Sequence, residues 1–128
     1  MAKKEVITSQ NAPKAIGPYS VGIKSGQFVF ASGQLGIDPK TGEIVQGGIQ
    51  AETRQALKNL GAVLAEAGLS MENIVKTTVF LNDIKNFTRM NEVYAEFFSG
   101  NYPARSAVQA AALPKGGLVE IEAIAAAD

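Results

Sequence analysis

The residue types this chain of 128 residues lacks narrow its chemistry first: it contains no His and no Cys. A Ser/His/Asp or Cys/His nucleophilic machine, a disulfide scaffold and a conventional Cys/His zinc site are therefore out of reach. Carboxylates and a guanidinium remain. Between residues 118 and 127, Val119, Ile121, Ala123 and Ala125 alternate with Glu120, Glu122 and Ile124, which reads as a strand partly buried on both faces. A carboxylate there needs water, hydrogen bonds or a cation, because unpaired ionic burial is costly. Glu120 is thus a candidate for holding a water or a proton, although a solvated edge or a structural ion pair explains the same spacing. For Glu122, support or solvent exposure is the simpler reading. Arg105, after Pro103-Ala104 at a strand entrance, is a permanent cation whose planar fork suits a small carboxylate such as a keto or imino acid. It would hold an anion and serve poorly as a base; a surface or structural Arg is the alternative. Tyr19, after Ile16-Gly17-Pro18, can wall or cap a pocket, or simply pack. Gly33 at a strand end permits close backbone approach to a ligand, or only relieves a steric conflict.

These groups must be positioned by a small fold. With 46% apolar and 19% charged residues, residues 1–128 read as a single domain with one core. Twelve Lys plus Arg balance twelve Asp plus Glu. Lys3-Lys4 and the isolated Arg54, Arg89 and Arg105 form no long basic run, so no nucleic-acid partner is expected. No secretory segment and no stretch near the roughly 20 apolar residues of a membrane span is present, which favours a soluble cytoplasmic protein without a membrane partner.

Val21 to Phe30 reads as a β-hairpin about Ser25-Gly26, followed by an exposed excursion through Asp38-Pro39-Lys40-Thr41-Gly42. From Ile49 to Ala67, helical spacing lines up Ala56, Leu57, Leu60, Val63, Leu64 and Ala67, while Gln50, Glu52, Arg54, Lys58 and Glu66 take mostly other faces. Gly68 would terminate this helix, and Gly61 would be tolerated through close helix-to-sheet packing. Ile74 to Leu81 is a strand, with Val75, Thr77, Val79 and Leu81 on one face. Phe87, Met90, Tyr94, Phe97 and Phe98 fit a second amphipathic helix that Pro103 ends or redirects. Ser106 to Ala111 and Leu118 to Ala127 would form a terminal β-hairpin across Pro114-Lys115-Gly116-Gly117. The order implies an α+β layer sandwich, one sheet packed against two helices.

Taken together, three segments carry a sharper resemblance: Gln27-Phe28-Val29-Phe30-Ala31-Ser32-Gly33-Gln34, Tyr102-Pro103-Ala104-Arg105-Ser106 and Glu120-Ile121-Glu122. Ala15-Ile16-Gly17-Pro18-Tyr19, Asn91 with Tyr94, and Leu113-Pro114-Lys115 extend it over nearly the whole chain. The sequence resembles the RidA/YjgF family of reactive-intermediate deaminases. That resemblance implies a chorismate-mutase-like (YjgF-like) α+β sandwich with a mixed β-sheet, barrel-like in a homotrimer with sites between subunits. It implies hydrolysis of 2-iminobutanoate, 2-iminopropanoate and their enamine tautomers to 2-oxo acids and ammonia, with no metal and no organic cofactor. In the family pattern Arg105 clamps the substrate carboxylate, Glu120 orients or activates water, Tyr19 walls the pocket, and Gly33 and Asn91 shape it; Tyr19 and Arg105 need not belong to one subunit. A trimeric module that binds small carboxylates without important catalysis is the alternative, and RNA cleavage, proposed for some members, has little support from the charge pattern. Ala107 stands where close relatives commonly have Cys, which removes thiol chemistry, and Gly36 where they often have Pro.

Overall fold

The computed structural model describes residues 3–128. Its elements run β1 (Glu5–Ile7), β2 (Gly22–Ser25), β3 (Phe28–Leu35), α1 (Gly48–Glu66), β4 (Ile74–Leu81), α2 (Phe87–Ala95), β5 (Ala104–Gln109) and β6 (Val119–Ala126). One six-stranded sheet has the order β1-β2-β3-β6-β4-β5, with β4 and β5 parallel and the other neighbours antiparallel. The expected α+β arrangement of a mixed sheet against two helices is therefore present. Leu57, Leu60, Val63 and Leu64 of α1 and Met90 of α2 are fully buried, and they meet Val29, Val79, Leu81, Val119 and Ile121 of the sheet in one core. Among the described residues, no helix is long and apolar enough to cross a membrane.

Helix α1 ends as its sequence requires. Gly68 takes φ +75°, and the Leu69 and Gly68 amides donate to Leu64 and Ala65 carbonyls at 3.0 Å each, closing the last turn in a left-handed cap. Glu52 departs from expectation: it is only 5% exposed, on the buried side of α1.

The terminal strands do not form a hairpin. β4 lies between β5 and β6. The apolar row of β6, Val119, Ile121, Ala123 and Ala125, is buried, which earns that strand an interior place, whereas β5 is exposed at most positions and takes the edge. The connection crosses the end of β4 instead, where the Ala110 amide donates to Leu81 O and the Asn82 amide to Leu118 O. Two face assignments also change. A register shift between Ile74 and Lys76 puts Ile74 on the core face with Thr77, Val79 and Leu81 and turns Val75 outward. Helix α2 stops at Ala95, so Phe97 and Phe98 follow it, and the chain redirects at Gly100 (φ +94°) before Pro103 is reached. The strand β1 was not legible, being only three residues long.

The sheet face away from the helices mixes polar residues, among them Lys76, Thr78 and Glu122, with apolar side chains that no described residue covers: Phe28, Phe30 and Val108 are 40%, 44% and 45% exposed. Gly61 shows that close packing is not what permits glycine in α1, because an added Cβ would meet only Met71 Sδ, at an ordinary 3.7 Å. Gly61→Ala should thus stabilise the protein by about 0.5–1 kcal/mol, read as a higher denaturation midpoint with an unchanged slope; a loss of stability would show that the helix needs the glycine for another reason.

Candidate active site

Glu120 is fixed by strand pairing on both sides, opposite Leu35 of β3 and Phe80 of β4. β3 carries a register shift between Ala31 and Gln34, and Gly33 falls inside it. A Cβ on Gly33 would lie 2.9 Å from Glu120 Oε2 and 3.0 Å from its Cγ. Gly33 therefore makes room for the Glu120 side chain, a more specific role than general backbone approach. The irregular strand is tied to the preceding loop: Ser32 Oγ donates to Ser20 O at 2.6 Å and the Ser32 amide to Val21 O at 2.9 Å. The Tyr19 amide closes a tight turn onto Gly17 O at 2.8 Å, which presents the ring beside Gly33 and Glu120. Tyr19, Gly33 and Glu120 share a cleft of about 540 Å³ with Ile16, Leu35 and Ile37.

The Glu120 carboxyl is half-buried, and burial, followed by the negative charge of Glu122, pushes its pKa above the usual carboxylate value. Glu122 itself is exposed. A carboxyl held in this way gives up its proton at higher pH than a free carboxylate does, as groups at functional sites often do.

Arg105 sits elsewhere. Its register partner on β4 is Thr77, which faces the helices, and the guanidinium accordingly points toward α2. Arg105 Nη1 donates to Asn91 Oδ1 at 2.7 Å, and its central carbon lies 4.8 Å from the Tyr94 ring centroid and 5.3 Å from that of Phe87. Phe87, Asn91 and Tyr94 are spaced four and three apart along α2, so one helix face supplies all three contacts. Tyr94 is locked in turn by a 2.7 Å hydrogen bond between its hydroxyl and buried Thr77 Oγ1; burial raises its pKa, so the phenol stays neutral. Arg105 and Asn91 line a separate cleft of about 410 Å³ with Tyr94, Tyr102 and Pro103.

The five residues selected from sequence thus fall into two groups: Tyr19, Gly33 and Glu120 in one cleft, Arg105 and Asn91 in another. Pleating explains why. Arg105 pairs with Thr77, a core-facing residue of β4, whereas Glu120 pairs with Phe80, three positions along and on the opposite face. The two groups cannot reach one another through the sheet of a single copy. Sequence reasoning assigned Phe87 and Tyr94 to packing and missed that their packing partner is Arg105; their helical spacing with Asn91 was the available signal.

The Glu120 environment has a thermodynamic consequence. A carboxyl whose folded pKa is raised binds its proton more tightly in the native state, so its charging costs stability as pH rises above the unfolded value of 4.5. Glu120→Gln should melt above wild type at pH 7, with the difference closing as pH falls below 4.5; a variant less stable at pH 7 would mean that the charged form has a favourable partner.

The sequence model described as Endoribonuclease L-PSP matches residues 9–127. A RutC family protein from Pyrococcus horikoshii is 57% identical over 95% of this chain and 97% of its own length. The human 2-iminobutanoate/2-iminopropanoate deaminase is 50% identical over 95% of this chain and 89% of its own. Among solved structures, TdcF of E. coli with bound serine superimposes with a TM-score of 0.93 at 46% identity, covering 97% of this chain and 99% of that one. Matches of this extent, with RidA of a Psychrobacter bacterium at 46% identity over 95% of this chain and 98% of that one (TM-score 0.92), bear out the resemblance, and the chain belongs to the RidA/YjgF family.

Proposed function

We propose that this protein hydrolyses 2-iminobutanoate, 2-iminopropanoate and their enamine tautomers to 2-oxo acids and ammonia. The observation that carries the reading is the half-buried Glu120 carboxyl, with its raised pKa, at the wall of a cleft shared with Tyr19 and Gly33. The 50% identity to the human 2-iminobutanoate/2-iminopropanoate deaminase over 95% of the chain supports the substrate class.

In this reading Arg105 clamps the substrate carboxylate. Its fork is oriented by Asn91 and by the Tyr94 and Phe87 rings, which leaves other N–H groups of the guanidinium for a carboxylate. The protonated imine makes C2 electrophilic. Glu120 accepts a hydrogen bond from water and directs its oxygen to C2; the water proton passes through the Glu120 carboxyl to the nitrogen of the resulting carbinolamine. Glu120, again a carboxylate, takes the carbinolamine hydroxyl proton as collapse forms the C=O bond, breaks the C–N bond and releases ammonia. Water is the nucleophile and the substrate arrives activated, so no metal or organic cofactor is part of the scheme. Tyr19 covers the cleft and limits bulk water.

The chemistry needs Arg105 and Glu120 on one substrate, and one copy holds them on opposite sheet faces. We assign the complete site to the interface of a homotrimer, with Arg105 and Asn91 from one subunit and Glu120, Gly33 and Tyr19 from its neighbour. The uncovered face bearing Phe28, Phe30 and Val108 supports burial against other copies. RNA cleavage, suggested by the family model's description, would have to proceed without a His pair, and the chain's net charge is zero.

With freshly generated 2-aminoacrylate and spontaneous hydrolysis subtracted, wild type should accelerate imine loss with matching formation of 2-oxo acid and ammonia. Arg105→Lys should lower kcat/KM by about 10–100-fold, mainly through KM, and Glu120→Gln should lower kcat by about 100-fold while binding is kept. Product binding without acceleration would instead identify a small-carboxylate-binding module, and RNA cleavage that copurifies with the protein and vanishes in Glu120→Gln would identify a nuclease.

A further inference from the structure

Helix α1 carries a buried polar row that the reaction scheme does not use. Asn59 is 1% exposed and Glu52 is 5% exposed; Asn59 bonds to backbone that lines the Glu120 cleft, and Glu52 to backbone two residues before Glu120 itself. Asn59 Nδ2 donates to Leu35 O at 3.1 Å and to Ile37 O at 2.9 Å, while its Oδ1 accepts from Gln55 Nε2 at 2.9 Å, which fixes the amide orientation. Glu52 Oε1 accepts from the Leu118 amide at 2.8 Å. Leu35 and Ile37 form one side of the cleft; Pro114 and Lys115 form another, and Leu118 lies between them and Glu120 in sequence.

Both segments lie close against their neighbours. A Cβ on Gly36 would come within 2.6 Å of Glu52 Cα, and one on Gly117 within 2.8 Å of Leu35 Cδ2. The glycine at position 36, where the family pattern often has Pro, lets the segment after β3 lie directly on α1. Burial raises the Glu52 pKa, opposed in part by the Leu118 amide. A buried carboxyl and amide contribute no more to stability than apolar side chains of the same volume would, but they fix a backbone position that apolar contacts leave free to slide.

We propose that Glu52 and Asn59 are positioning residues that hold the two backbone walls of the cleft in register and thereby set where the Glu120 carboxyl stands relative to the substrate. This inference rests on the deaminase reading. Glu52 acts through Leu118, two residues before Glu120 on the same strand path, and Asn59 through Leu35, the strand-pairing partner of Glu120. Neither touches the Arg105 cleft. Their loss should therefore appear in turnover and leave substrate anchoring nearly intact.

The test separates reach from charge at Glu52, in the intact protein with 2-iminobutanoate as substrate and hydrogen exchange read at the Leu118 amide. Glu52→Gln keeps the acceptor and should retain kcat within about twofold. Glu52→Asp keeps the charge but withdraws the acceptor, and should lose about 10-fold in kcat with KM within about twofold and faster exchange at Leu118. Asn59→Ser supplies an independent variant with the same expected split. Wild-type kcat in Glu52→Asp and in Asn59→Ser, or a Gln variant as impaired as the Asp variant, would overturn the proposal. An inactive wild type would refute the deaminase reading instead, and the exchange comparison would still report whether Glu52 holds the Leu118 backbone.

Discussion

The pleat of β6 governs this protein. Paired on one side with β3 and on the other with β4, the strand cannot rotate, so alternate side chains must go to opposite faces of the sheet. Ile121 and Val119 are fully buried against the helices, and burying them drives Glu120 outward into the cleft. A one-residue slip would exchange the two sets, exposing the apolar row and placing the carboxylates in the core. The register that makes the core is therefore the register that presents the carboxylate, and Gly33 leaves the space into which it extends.

Strand β5 obeys the same rule with the opposite outcome. Its Arg105 faces α2, where Phe87, Asn91 and Tyr94 hold the guanidinium on a helix face that is otherwise part of the core. A cation on one face and a carboxylate on the other would neutralise each other if adjacent; kept apart, they cannot pair within one copy. The cost is borne at Glu120, which takes a raised pKa from burial and from Glu122. That arrangement suits a proton carrier better than a structural ion pair, the alternative that the sequence spacing left open.

The elements with long, regular patterns were legible: α1 from its apolar stripe and Gly68, and β4 from its β-branched run. Adjacency was not. Two strands joined by Pro114-Lys115-Gly116-Gly117 look like a hairpin, yet the apolar row of β6 is better buried beside β3 and β4 than at an edge, and local turn chemistry cannot report that competition. Glu52 looked like a surface residue because its type outweighs its position in any reading of periodicity. The candidate residues were drawn from the Ser32-Gly33-Gln34, Tyr102-Pro103-Ala104-Arg105 and Glu120-Ile121-Glu122 segments. Their division into two clefts was not legible from residue patterning, because whether two residues share a sheet face depends on strand order and register.

The central claim is that Arg105 and Glu120 act on one substrate from different copies of the chain, and subunit mixing tests it directly. Arg105→Ala and Glu120→Gln proteins, each nearly inactive alone, would be coexpressed with different tags and the mixed assemblies isolated. If each site takes Arg105 from one subunit and Glu120 from its neighbour, every mixed trimer holds one complete site of three, so the isolated mixed assemblies should regain about a third of wild-type deaminase activity. Mixed assemblies that form but stay inactive would contradict the account and require both residues to act within one chain.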